Sequence, residues 1–167
     1  SRSLALGYSG SSLTYDVSSN PASILSTNKK NASMSIFTYP AGINAAHLFY
    51  TSRIRNVIMG VTIINLDYGD FKSENNSFRA HETLLSVVLK KHYKETISIG
   101  ASIGFVTSTI GQYKSNMCYI DTGIRTHLFN KNIGMGLSLE NMGYIINNYS
   151  NVDELLPSKV KFGIHFA

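Results

Sequence analysis

The chain has no tryptophan and a single cysteine, Cys118, among its 167 residues. One cysteine excludes an internal disulfide, and with it the stapled secreted miniprotein. Charge is also scarce: Asp, Glu, Lys and Arg make up 15% of the chain, against the roughly 25% usual for soluble proteins. Long apolar runs are missing, and none approaches the roughly 20 residues of a membrane helix. Basic residues outnumber acidic ones, 15 to 10. They are scattered, however (Arg53, Lys72, Lys90, Lys114, Lys131, Lys159), and form neither stripe nor arm, so nucleic acid is not an expected partner. Ser1 and Arg2 lead straight into "LALGYSG" with no signal peptide, so an exported protein of this sequence is expected in its mature form.

What the chain does have is alternation. "ETISIGASIGFVTST" sets Ile97, Ile99, Ala101, Ile103 and Phe105 against Thr96, Ser98, Gly100, Ser102 and Gly104. Successive side chains of an extended segment point to opposite faces, giving one oily face and one small, polar face. The same rhythm predicts strands near 32–39, 43–53, 57–68, 79–91, 95–107, 114–128, 132–142 and 157–167. Ile133, Met135, Leu137 and Leu139 share one face, as do Val160, Phe162, Ile164 and Phe166. The 57–68 and 79–91 segments alternate less cleanly.

Several of these strands run about 11 to 15 residues, longer than the 5–6 typical of soluble proteins and long enough for a tilted membrane strand. Connections are expected to alternate between tight ("RIRN", "KHYK", "NKN") and long ("GDFKSENNSF", "STIGQY", "GYIINNYSNVDELLP"), with "YPAG" breaking the pattern. Tyr50, Tyr93 and Phe129 mark the tight ends; Tyr68, Phe71, Phe78, Tyr113 and Tyr144 mark the long ends. Long strands, alternating connections and paired aromatic girdles predict an all-β, antiparallel up-and-down transmembrane barrel, with the tight turns on the periplasmic side. The lipid face would include Ile97, Ile99, Ile103, Phe105, Leu137, Phe162 and Ile164. Residues 1–28 differ, and are expected to form a hatch in which Asn20 caps a short helix begun by Pro21.

Polar residues fall on the opposite face. Asp121, Arg125, Glu140, Lys161 and His165 would form a lumenal charge network, serving either as a ligand or selectivity site or as a structural filling. "DTG" at 121–123 matches the aspartic-protease tripeptide, but that chemistry needs two carboxylates sharing a proton, and no second copy exists. "HET" at 81–83 lacks the second histidine of a zinc helix. No catalytic residue, metal site or cofactor is expected.

In order along the chain, "LALGYSG", "SNPASIL", "YGDF" followed by "SFRAHE", "SIGASIGFVTS", "YIDTGI", "LSLENMG" and "LLPSKVKFGI" resemble the PorV/PorQ-type outer-membrane barrels of the type IX secretion system, distant relatives of the long-chain fatty-acid transporters. The matching positions include Asn20, Pro21, Ala22, Asp121, Gly123, Asn141, Gly143 and Pro157. The resemblance implies a non-enzymatic protein in the outer membrane of a Gram-negative bacterium. Its partners would be outer-membrane lipid and other secretion-system proteins, and its role would lie in protein secretion and surface attachment. Such barrels are about twice this length, with roughly fourteen strands. The chain is therefore read as the N-terminal half, the alternative being a complete eight-stranded barrel, which is also large enough to close. Two other functions stay open: a fatty-acid-transporter-like conduit for hydrophobic molecules, and a soluble all-β binding module.

Overall fold

The computed structural model describes residues 20–24, 29–39, 42–72, 77–94, 96–128, 133–149 and 156–166. The alternating segments form eight strands: β1 (Asn31–Thr38), β2 (Asn44–Ile54), β3 (Val57–Lys72), β4 (Ser77–Lys94), β5 (Ile97–Ile110), β6 (Tyr113–Leu128), β7 (Ile133–Asn147) and β8 (Lys159–Phe166). They lie in one sheet in chain order, each antiparallel to the next. This is an up-and-down meander with almost no helix. Among the described residues, β1 and β8 each pair with a single neighbour.

Every expected strand is present, but the expected connections are not. β3, β4, β5, β6 and β7 run beyond their predicted ends, so "GDFKSENNSF" is mostly hairpin, its two strands joined by residues 73–76, and "STIGQY" shrinks to a two-residue turn at Gly111 and Gln112. Among the connections between the eight described strands, 148–158 alone exceeds five residues. The expected alternation of tight and long connections is therefore not seen, and β3 to β7 are longer than expected. Two of the missed extensions, those of β3 and β7, begin at irregularities. The register of β3 on β4 shifts between Asp67 and Asp70, where Gly69 has φ 78°, and that of β6 on β7 shifts between Ile120 and Thr122, opposite Asn141 with φ 58°. Each bulge adds a residue and reverses which parity faces outward. In β7, Leu137 and Leu139 point outward before the bulge, Tyr144 and Ile146 after it.

One face of the sheet is apolar and bare, the other small, polar and covered. In β5, Ser98, Gly100, Ser102, Gly104 and Val106 are buried while Ile99, Ala101, Ile103 and Phe105 are exposed. Among the described residues, 28 large apolar side chains are exposed, against six buried hydrophobic residues. That balance is the reverse of a water-soluble core.

Part of the cover is the turn at residues 20–24. Asn20 accepts the Ala22 N–H at 2.8 Å through Oδ1 and starts a 3₁₀ turn over Pro21–Ser23. This is the expected cap and proline, though the helix stops after three residues. The turn packs on β4, β5 and β6, and Asn20, Pro21, Ala22, Ser23 and Ile24 are all buried. Residues 1–19 and 25–28 of the expected hatch, and Phe129 of the expected girdle, lie outside the described residues. The turn also accounts for the poor alternation of β3 and β4. Ile24 packs against Ile58 and Val88, with Phe49 beside them, so those strands are apolar on both faces.

Candidate functional site

The covered face is built around a row of residues set by register. Lys90 lies opposite Gly100, Gly100 opposite Gly123, Gly123 opposite Ser138, and Ser138 opposite Lys161. The two glycines form the seat of the turn. A Cβ at Gly100 would come within 2.4 Å of the Pro21 and Ala22 backbone, and one at Gly123 within 2.0 Å of Asn20 Oδ1. Asn20 then reaches through with Nδ2, donating to the Ile124 carbonyl at 3.1 Å and the Leu137 carbonyl at 3.4 Å. From the other side Lys90, 2% exposed, donates from Nζ to the Ile24 carbonyl at 2.9 Å. The turn and its cap at Asn20 thus touch β4, β5, β6 and β7 through polar contacts and close packing.

The five residues expected to form a charge network all lie on this face, buried or half-buried. Lys161 pairs with Glu140 at 2.7 Å, and Ser138 donates to the same carboxylate at 3.2 Å. Asp121 serves the backbone: Oδ1 accepts the Asn141 N–H at 2.8 Å and Oδ2 accepts the Ser102 hydroxyl at 2.9 Å. The carboxylate therefore holds the β7 bulge, and its partners are a hydroxyl and an amide, not a second acid. Arg125, 4% exposed, stands close enough to Lys90 and His165 for its charge to act on both. The His165 ring meets His127 edge-on at 6.1 Å and covers Gly134, as Tyr119 covers Gly104. Rings and the turn occupy the space that the glycine face leaves open.

Of the positions singled out by resemblance, Asn20, Pro21, Ala22, Asp121, Gly123 and Asn141 lie in or beside this region. Asn20, Pro21 and Ala22 make the turn, Gly123 seats it, and Asp121 holds Asn141. Gly143 is required by contact, since a Cβ there would lie 2.0 Å from the Cys118 carbonyl oxygen. Pro157 is exposed in the approach to β8 and joins none of these contacts. Sequence reasoning missed Lys90. In "LKKHYK" two adjacent lysines point to opposite faces, and only the pairing of Lys90 with Gly100 shows which one enters.

On the outer face, Ile99, Ile103, Phe105, Leu137, Phe162 and Ile164 are all at least 42% exposed and Ile97 is half-buried. At one end of the sheet Phe71 and Phe78 stack across the hairpin with ring centres 5.1 Å apart, and Tyr113 and Tyr144 are also exposed there. Tyr93 is exposed at the other end, while Tyr50 and Tyr68 are half-buried. Among the described residues, no group of three or more His, Cys, Asp or Glu is placed to hold a metal ion. Comparison of the chain with protein-family models, curated proteins and solved structures finds no match.

Proposed function

We propose that the chain forms barrel wall in the outer membrane of a Gram-negative bacterium, as a non-enzymatic component of PorV/PorQ-like type associated with protein secretion and surface attachment. The observation that carries this reading is the inverted sheet, whose outward face is rich in exposed Ile, Leu, Val and Phe and whose inward face holds glycine, serine and paired charges. In water such a face would drive aggregation; in lipid it is the expected surface of a spanning strand. The polar inner face is filled by the chain's own turn, its rings and the Glu140–Lys161 pair, which favours a structural wall. A conduit for hydrophobic molecules needs a continuous apolar passage. The apolar cluster on this face, Ile24, Ile58 and Val88, is filled by the chain itself.

The membrane part of this reading is tested at Ile99 and Leu137. Arg at either position should cost about 2–4 kcal/mol of folding free energy in lipid vesicles if the site lies near the bilayer midplane. A substitution at an exposed site in water usually falls within about 0.5 kcal/mol. Spontaneous insertion into vesicles, with Ile99→Arg and Leu137→Arg strongly impaired, supports the proposal. A wild-type chain that folds as a monomer in buffer without detergent, with both variants as stable as wild type, would falsify it.

A further inference from the structure

The outward apolar field is interrupted beside the β4–β5 turn. Ala101 stands in line with Ile99, Ile103 and Phe105, and its small side chain opens a groove of about 330 Å³. Val57, Leu89, Ile99 and Ala101 form the apolar lining, with Lys91 and Tyr93 at the turn end. Register fixes that arrangement, since Lys91 pairs with Val57 on one side and with Ile99 on the other, and Leu89 pairs with Ala101. A lysine flanked by apolar side chains lays its methylenes along them and carries its ammonium to the water boundary. Tyr93 is 68% exposed beside it, an aromatic of the kind that marks the headgroup level. The neighbouring β2–β3 turn adds Arg55, exposed with φ 55° two residues before Val57. In sequence, the two turns (53–56 and 91–95) hold Arg53, Arg55, Lys91 and Lys94 against one acid, Glu95.

An apolar slot ending in a cation is complementary to an acyl chain ending in a phosphate. We propose that this groove binds one anionic phospholipid from the leaflet at the tight-turn end, with a chain along Leu89, Ile99 and Ala101 and the phosphate at Lys91. The inference rests on the membrane reading above and adds a lipid preference to it. Choice of lipid comes from charge, because the apolar lining accepts any acyl chain. Lys91 supplies that charge at the mouth of the groove, with Arg55 on the adjacent turn.

The test uses the protein folded into phosphatidylcholine vesicles that contain a minority of phosphatidylglycerol. Insertion is scored first, by protease protection. The protein is then extracted in mild detergent and its retained lipids are counted by native mass spectrometry. Wild type should retain phosphatidylglycerol about fivefold above its share of the vesicle, the enrichment expected for one basic side chain at an anionic surface. Lys91→Gln should abolish the enrichment without reducing insertion. Ala101→Leu should reduce lipid retention by filling the slot. Lys114→Gln, on an exposed lysine at the opposite end of the sheet, should leave the enrichment unchanged. Insertion with no enrichment, or enrichment lost equally in Lys91→Gln and Lys114→Gln, overturns the lipid site and leaves the membrane reading intact. Failure of the wild type to insert overturns both.

Discussion

At the residue scale the small side chains of the inner face are places where something else fits. By alternation alone, Ser98 and Ser138 are expected to accept arginine more readily than Ile99 or Leu137. Packing removes that tolerance, because Ser98 and Ser138 are 8% and 1% exposed. Ser98 lies opposite Arg125 and within 3.0 Å of His92 Nδ1, so an arginine there would meet bulk and like charge. The glycines are stricter still. Gly100→Ala and Gly123→Ala each place a methyl inside the van der Waals shell of the Asn20–Ala22 turn. Overpacking of this kind costs about 1–3 kcal/mol. The expected outcome is a sheet that still forms but loses its cover: a lower denaturation midpoint, and protease cleavage near residue 20 that is slow in wild type. Asn20→Ala should act in the same direction, since it removes the cap and two hydrogen bonds to strand carbonyls, each worth about 1 kcal/mol. A variant with unchanged cleavage and midpoint would show that the turn is not held by this seat.

At the scale of elements the bulges decide where the strands go. Alternation made the strands legible wherever one face is polar and the other apolar, and was weakest in β3 and β4, where Ile58 and Val88 make the covered face apolar too. It stopped short at 68 and 142, since an inserted residue reverses parity and looks like a strand end. Asn141 carries the second of these reversals at φ 58°, a conformation that asparagine accepts and β-branched residues resist. Its N–H is held by Asp121. Asn141→Val should therefore destabilise the protein by about 1–3 kcal/mol, and Asn141→Gly should be close to neutral. Asp121→Ala should cost a similar amount by leaving the bulge amide and the Ser102 hydroxyl without their acceptor. Equilibrium unfolding in detergent micelles measures all three, and a tolerated valine would place the bulge elsewhere. The candidate site was legible to the same extent as the strands. Glu140 and Lys161 fall on a face that period two identifies, but their ion pair is diagonal, since the register sets Lys161 opposite Ser138 and Glu140 opposite Lys159. Lys90 and the seat of Asn20 are absent from any local pattern, because both depend on a segment at least 66 residues away in sequence packing against the sheet. Nothing periodic in "SNPASIL" announces where that segment docks.

At the scale of the whole molecule the two edge strands, β1 and β8, govern what the sheet can do. β1 exposes apolar side chains on both faces, with Met34 and Ile36 each at 67% and Phe37 at 51%. β8 exposes Val160 at 70% and Phe166 at 78%. Each strand is hydrogen-bonded on one side only among the described residues, which leaves a row of N–H and C=O groups to be satisfied. In water those groups can bond to solvent; in hydrocarbon each bare group costs several kcal/mol. A membrane sheet of this kind must therefore pair β1 with β8, or pair both edges with other strands. If the chain is the N-terminal half of a larger barrel, the second arrangement holds. Cysteine pairs placed across the two edges near Ser35 and Gly163, with Cys118→Ser and a scan of neighbouring registers, distinguish the cases, because a disulfide forms only when the Cα atoms come within about 7 Å. The expected outcome for the isolated chain is no intramolecular cross-link in any register, together with detergent-dependent oligomers whose contacts map to β1 and β8. Efficient cross-linking within a monomer would instead establish a closed eight-stranded barrel. Its interior would then be the Asn20–Ile24 turn and the Glu140–Lys161 pair, leaving little lumen for anything to pass.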